Sequence, residues 1–211
     1  MISFLHTSPV HIATFDTLLD ELAPDMARQH RVEEGWLAQA QKGMTPALSV
    51  AIVDAMLDLA SKGVGVCTCS TIGGVAESAN TDAAPAIRID RTLMEAALAH
   101  GPRPLIAMCL ESTRAPTLDL LGNVATRTGL DMKPEVTMCT GAWSHFEAGD
   151  RQAYAQYIAN TIKAEMVNPD CIVLAQGSMA VAEPLLKDLG LPVLSSPRLG
   201  VIRALELMDG R

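Results

Sequence analysis

Residues 67–71 read Cys-Thr-Cys-Ser-Thr, closing an apolar run over 63–67 and followed closely by Gly73-Gly74. A thiol beside two hydroxyls at the start of a helix can do two things. The free amides of a helix start attract an anion such as a carboxylate. The same field stabilises a thiolate, the form in which cysteine acts as base or nucleophile. Cys69 has polar neighbours on both sides and is the candidate reactive group, with Ser70 and Thr71 as candidate anion holders. Cys67 lies within the apolar run and reads as core, because buried free cysteine is common. A second core thiol is also the competing reading for Cys69. Cys109, Cys139 and Cys171 sit in apolar runs of their own and read as strand interior.

Other chemistries find no support. The C-x-C pair has no partner cysteines or histidines at finger or ribbon spacing, and C-x-x-C is absent. Neither G-x-x-x-x-G-K-[ST] nor a strand-linked G-x-G-x-x-G occurs, so neither a P-loop nor a dinucleotide-binding turn is expected. His6 ends the first apolar run beside Thr7 and Ser8, where it either lines a site or serves as a structural cap. His145 follows Trp143-Ser144 in a predicted loop, and His11, His30 and His100 look ordinary. Glu33-Glu34 read as a solvated turn. Arg114 and Arg198 either neutralise an anion or solvate helix starts.

The elements that must position these groups follow from composition and periodicity. The chain has 211 residues, 49% hydrophobic and 19% charged, with only 3% aromatic, so aliphatic side chains and Met must fill the core. Short apolar runs without alternation alternate with amphipathic helical stretches, which predicts parallel strands covered on both faces by helices. Strands are predicted at 2–6, 27–37, 64–68, 86–90, 104–110, 135–141, 171–176 and 191–195. Helices are predicted at 11–22, 46–63 (Thr45 as N-cap, Gly63 as C-cap), from about Gly73, and at 91–101, 115–129, 149–166, 178–190 and 196–208. In such α/β sheets, ligands bind outside the carboxyl ends of the strands.

Those ends repeat a design: LHTSP (5–9), CTCST (67–71), LESTR (110–114) and LAQGSM (174–179). The interval from Thr7 to Ser112 nearly equals that from Cys69 to Gln176, which predicts a duplicated α/β unit. The predicted domains are 1–92 plus 193–211, and 93–192. A net charge of −8 leaves no basic stripe for nucleic acid. No apolar stretch is long enough to span a membrane, the N-terminus lacks a signal-peptide pattern, and the odd, apolar-embedded cysteines fit reduced thiols, so a cytoplasmic protein is expected. A homodimer or higher homo-oligomer is the default.

The turn Cys69-Ser70-Thr71 is similar to the C-N-T/C-S-T turn of the aspartate/glutamate/hydantoin racemase superfamily. The segments ESTRAPT (111–117), GAWSHFEAGD (141–150), VLAQGSMA (173–180) and PVLSSPRLGV (192–201) resemble corresponding segments of relatives in that family, across essentially the whole chain. The resemblance implies two pseudo-symmetric α/β domains with parallel sheets, an active site in the interdomain cleft, and cofactor-independent isomerase chemistry on a small carboxylate or amino-acid derivative. It implies Cys69 as the catalytic thiol, with Thr7, Ser8, Ser70, Thr71, Ser112, Thr113, Gln176, Gly177 and Ser178 holding the carboxylate and helping to stabilise an enediolate. Two-thiol members use a second cysteine where this chain has Gln176, which cannot accept and return a proton as a thiolate does. A one-thiol decarboxylase of the arylmalonate kind, a cis–trans isomerase using the thiol as nucleophile, and a non-catalytic small-carboxylate binding protein are the alternatives.

Overall fold

The structure is a computed structural model in which residues 1–210 are described. The chain forms two compact units. The first holds Met1–Thr92 and the chain from Pro197 onward, and the second holds Leu93–Ser196.

The first sheet contains β1 (Ile2–His6), β2 (Arg28–Val32), β3 (Val64–Cys67) and β4 (Ala86–Arg88). Its order is β2-β1-β3-β4, and all neighbours are parallel. Every residue of β1 and β3 is buried, as strands covered on both faces require, whereas the edge strand β2 is polar and only half-buried. Ile2, Phe4, Val64 and Val66 pack on one face with α1 (Ile12–Leu22) and α9 (Ser196–Asp209). Leu5 and Cys67 pack on the other with α3 (Pro46–Ala60) and α4 (Ser70–Glu77).

The second sheet contains β5 (Pro104–Met108), β6 (Glu135–Met138), β7 (Cys171–Leu174) and β8 (Val193–Ser195). Its order, β6-β5-β7-β8, repeats that of the first sheet element for element. Because β8 pairs with β7, the chain returns to the first unit after Ser196 and not after Pro192. The remaining helices are α2 (Glu34–Gln41), α5 (Arg91–His100), α6 (Glu111–Thr128), α7 (Trp143–Glu147) and α8 (Arg151–Glu165).

Helix starts follow the local chemistry. Thr45 Oγ1 accepts from the Leu48 amide with Pro46 in the first turn, and Asp150 caps α8 through the Ala153 amide. The C-cap of α3 is Ser61, and Gly63 follows with φ +154, where a Cβ would fall 2.0 Å from Met1 O.

Four local expectations give way. The stretch 27–37 is strand only to Val32 and then turns into α2. The helix expected from about Gly73 starts at Ser70. His145 lies in the short helix α7. The stretch 178–190 forms two 3₁₀ helices, because Pro184 has no N–H for an α-helical ladder and restricts the residue before it.

Candidate active site

Cys69 occupies the N-cap of α4 in extended conformation (φ −104, ψ 116), one residue after Thr68 leaves β3. It is half-buried, whereas the other four cysteines are buried. Burial pushes the Cys109 and Cys139 thiols up to about 12 and that of Cys171 up to about 11. Burial and the neighbouring Cys69 raise Cys67 further still, and its thiol donates to the Cys69 carbonyl at 3.6 Å. Cys67 is therefore core and a prop for the turn, and Cys69 is the thiol with access to solvent. Ser70 and Thr71, in the first turn of α4, are both buried. Thr7 is buried and Ser8 half-buried at the neighbouring tip of β1.

The glycine pair has a packing purpose and forms no turn. Arg88 ends β4 and runs beneath α4, so that a Cβ on Gly73 would lie 3.2 Å from both Arg88 Cβ and Nε. The guanidinium donates from Nε (2.6 Å) and Nη2 (2.9 Å) to the two carboxylate oxygens of Asp90, and Nη2 lies 3.5 Å from Ser70 O. Burial works against the charge on Arg88, but Asp90 more than offsets it and its pKa is raised. This buried pair clamps the first turn of α4 from below.

A second polar assembly lies on the other side of the β3 tip. His6 Nδ1 is 2.8 Å from Thr68 Oγ1, and His6 Nε2 is 2.9 Å from His30 Nδ1. His30 Nε2 continues to Asp16 Oδ1 at 3.2 Å. Phe4 and Phe15 pack against the His6 ring, and burial, with His30 and His11 nearby, lowers its pKa to about 3. His6 is thus a neutral interior ring and does not line a site.

At the matching ends of the second sheet, Gln176 is the N-cap residue before a 3₁₀ helix (Gly177–Leu185). Its Oε1 accepts from the amides of Cys109 (2.5 Å) and Leu110 (3.2 Å). Ser178 Oγ bonds Tyr154 Oη at 2.8 Å, and the same phenol lies 3.5 Å from Cys109 Sγ. Ser112 and Thr113 lie in the first turn of α6, not in a strand-end turn. Thr113 is buried, and Ser112 Oγ is buried without a hydrogen-bond partner among the described residues.

No family model matches the chain, and no curated protein matches it in sequence. Solved structures match over nearly its whole length. Glutamate racemase RacE1 from Bacillus anthracis aligns with a TM-score of 0.76 at 15% identity, over 100% of this chain and 82% of that one. Aspartate racemase from Picrophilus torridus gives 0.66 at 14%, over 99% and 93%. An arylmalonate decarboxylase gives 0.62 at 16%, over 100% and 93%. The chain shares the fold of these racemases and of this decarboxylase.

Within this fold the candidate residues fall into two sets. Thr7, Ser8, Cys69, Ser70 and Thr71 gather at the carboxyl end of the first sheet, and Ser112, Thr113, Gln176, Gly177 and Ser178 at that of the second. Strand register corrects one equivalence. Leu5 pairs with Cys67 as Ala107 pairs with Leu174, and the Thr68 amide bonds Leu5 O as the Ala175 amide bonds Ala107 O. Cys69 therefore matches Gln176, but Thr7 matches Cys109 and not Ser112. Thr68, His30, Asp16, Arg88, Asp90 and Tyr154 carry no motif in sequence. Only the pairing of Phe4 with His30 across β1 and β2 would have placed His30 beside His6.

Proposed function

We propose that the protein is a cofactor-independent enzyme acting at the α-carbon of a small carboxylate or amino-acid derivative, with Cys69 moving the proton. The observation that carries this reading is the sorting of thiols. Four are buried, and Cys69 alone stands half-exposed at the start of a helix that follows a central strand. On this reading the Cys69 thiolate removes the α-proton. The carboxylate is held by the first-turn amides of α4 with the hydroxyls of Thr7, Ser8, Ser70 and Thr71, which also stabilise the enediolate. Return of a proton to the face it left gives only exchange, and delivery to the opposite face gives isomerisation.

A second reading, decarboxylation of a substituted malonate, is favoured by Gln176 at the position that matches Cys69. An amide cannot take up and return a proton, so the partner thiol of a two-base racemisation is missing there. Loss of CO₂ leaves a carbanion that Cys69 protonates from one side, and the thiolate formed then recovers its proton from solvent.

The test is α-proton exchange in D₂O over amino acids, hydantoins and substituted malonates, with wild type and Cys69→Ser. Exchange that disappears in the variant supports the thiol, and the product distinguishes inversion from loss of CO₂. If nothing exchanges, maleate-like diacids are assayed for cis–trans isomerisation. Failure there as well, with ligand affinity intact in Cys69→Ala, would replace the enzyme by a carboxylate-binding protein. Ser112→Ala, Thr113→Val and Ser178→Ala should raise KM if the second set also holds substrate.

A further inference from the structure

The side-chain amide of Gln176 is only half satisfied. Gln176 leads from β7 into the 3₁₀ helix Gly177–Leu185 and is 9% exposed. Its Oε1 accepts from the amides of Cys109 at 2.5 Å and Leu110 at 3.2 Å. The two bonds fix how the group is turned, because a flipped amide would set N–H against N–H. Nε2 therefore points its hydrogens elsewhere, and among the described residues nothing accepts them. It is not sealed in either, since it keeps access to solvent. Buried polar groups are normally hydrogen-bonded, and an exception in a side chain this deeply buried calls for a partner from outside the protein.

The surroundings of Nε2 specify that partner. A planar amide keeps Nε2 next to Oε1, and so beside Leu110, the N-cap of the 18-residue helix α6. The amides of Glu111 and Ser112 follow, and the first amides of a helix have no acceptor within it. Their field attracts an anion and repels a cation. Ser112 Oγ, in the same turn, is buried and also without a partner among the described residues. The turn's own carboxylate does not fill the place, because Glu111 is exposed and its Oε1 lies 3.7 Å from Arg114. The choice of residue points the same way. A glutamate in this place would be the stronger acceptor for two amides at a helix start. The neutral amide gives up that advantage and adds a donor.

We propose that Gln176 holds an acceptor oxygen of the ligand through Nε2 at the start of α6, a carboxylate above all, and keeps an ammonium group out of that place. The proposal deepens the reading of the protein as an enzyme on small carboxylates and rests on it for the ligand being the substrate. An ammonium has only hydrogens to set against the Nε2 hydrogens, and the helix start opposes its charge as well. A carboxylate meets both demands. Substrates that carry a second acceptor group beside the reacting carbon are then admitted, and free amino acids are disfavoured. Gln176 is a specificity-determining contact that chooses the group presented at the second sheet, and it takes no part in moving the proton.

The test uses the full chain and ligands of the form CH₃–CH(X)–COO⁻: methylmalonate, propionate and alanine, in which X is carboxylate, hydrogen and ammonium. Dissociation constants are measured by NMR titration for wild type, Gln176→Glu and Gln176→Met. Wild type should bind methylmalonate about tenfold or more tighter than propionate, the worth of a hydrogen bond to a charged group, and alanine no tighter than propionate. Gln176→Glu keeps an acceptor for the two amides and presents an acceptor where Nε2 was. It should lose the methylmalonate preference and bind alanine better than wild type does. Gln176→Met presents neither, and should bind methylmalonate and propionate within about twofold of each other. In wild type itself, the Gln176 side-chain ¹⁵NH₂ signals, assigned by their loss in either variant, should shift with methylmalonate and not with alanine. Unmoved signals, a wild-type preference for alanine, a methylmalonate preference that survives in Gln176→Met, or no binding of any of these ligands overturns the proposal. Turnover enters none of these measurements. If Cys69→Ser retains activity or nothing turns over, the thiol reading falls and the titrations still decide. If Cys69 carries turnover and the preference is absent, the site at Gln176 falls alone.

Discussion

The turns after β3 and β7 hold matching places in two sheets of the same strand order, and they are built to opposite ends. In the first, the side chain at the helix start is a half-exposed thiol with no capping hydrogen bond. In the second, Gln176 folds its amide oxygen back onto the Cys109 and Leu110 amides. The surroundings diverge likewise. By register His6 matches Met108, Thr68 matches Ala175, and Arg88 matches Ser195. The first unit thus collects titratable groups around its turn, and the second replaces them with satisfied or apolar ones. A duplicated backbone fixes where a reactive group can stand, and the side chains decide in which half it does.

The largest expected effect breaks the comparison at its centre. Cys69→Ser should lower turnover by about 10²–10⁴-fold, the usual worth of a positioned acid or base, while the urea midpoint stays within error, since the site is half-exposed. Equal activity in the variant would remove the distinction between the two turns.

The next effect concerns the clamp under α4. Asp90 is fully buried and bonds Arg88 through both oxygens. Asp90→Asn leaves a buried guanidinium without its counter-charge and should cost about 3–5 kcal/mol in urea unfolding. Ser195→Ala, at the place matching Arg88, should change stability by about 0.5 kcal/mol or less. A small loss in Asp90→Asn would show that the pair is dispensable to the first unit.

The third effect is a pH dependence that only the first unit should show. His6 titrates near 6.5 when unfolded and near 3 in the fold. Between those values the unfolded chain binds a proton that the folded ring refuses, so stability falls as pH falls through that window, by up to about 1.4 kcal/mol per unit. Below pH 3 this contribution changes no further. His6→Met, which gives the first unit the residue of the second, should flatten that part of the stability–pH curve measured from pH 4 to 7.

Much of this contrast was legible in the sequence, and the reasons for the rest are physical. Apolar runs such as 104–108 and 171–174 predict central strands because full burial leaves no alternation to obscure them. Cys69 stands out for its polar neighbours. His30 does not, because the edge strand β2 is polar and half-buried and its partner is chosen by register across the sheet. Ser112 and Thr113 look like a turn because hydroxyls favour turns and helix starts alike, and only the strand end at Met108 shows that α6 has already begun. The Gly73-Gly74 pair suggests a turn, but its cause is Arg88, which arrives from β4.

The smallest effect sharpens the second turn. Gln176→Leu keeps the bulk and deletes the acceptor, so the Cys109 amide, almost fully buried, loses its partner, while the Leu110 amide, in a half-buried residue, can turn to water. The cost should lie toward the lower end of about 1–3 kcal/mol in urea unfolding. Gln176→Glu retains two acceptor oxygens for the same amides, and at neutral pH its charge faces N–H groups at the start of α6, where a carboxylate is favoured. It should therefore match or exceed wild type. If the two variants lose stability equally, the carbonyl of Gln176 is not what fastens this turn, and its presence opposite Cys69 in the duplicated pattern must be explained by what it offers a ligand through its nitrogen.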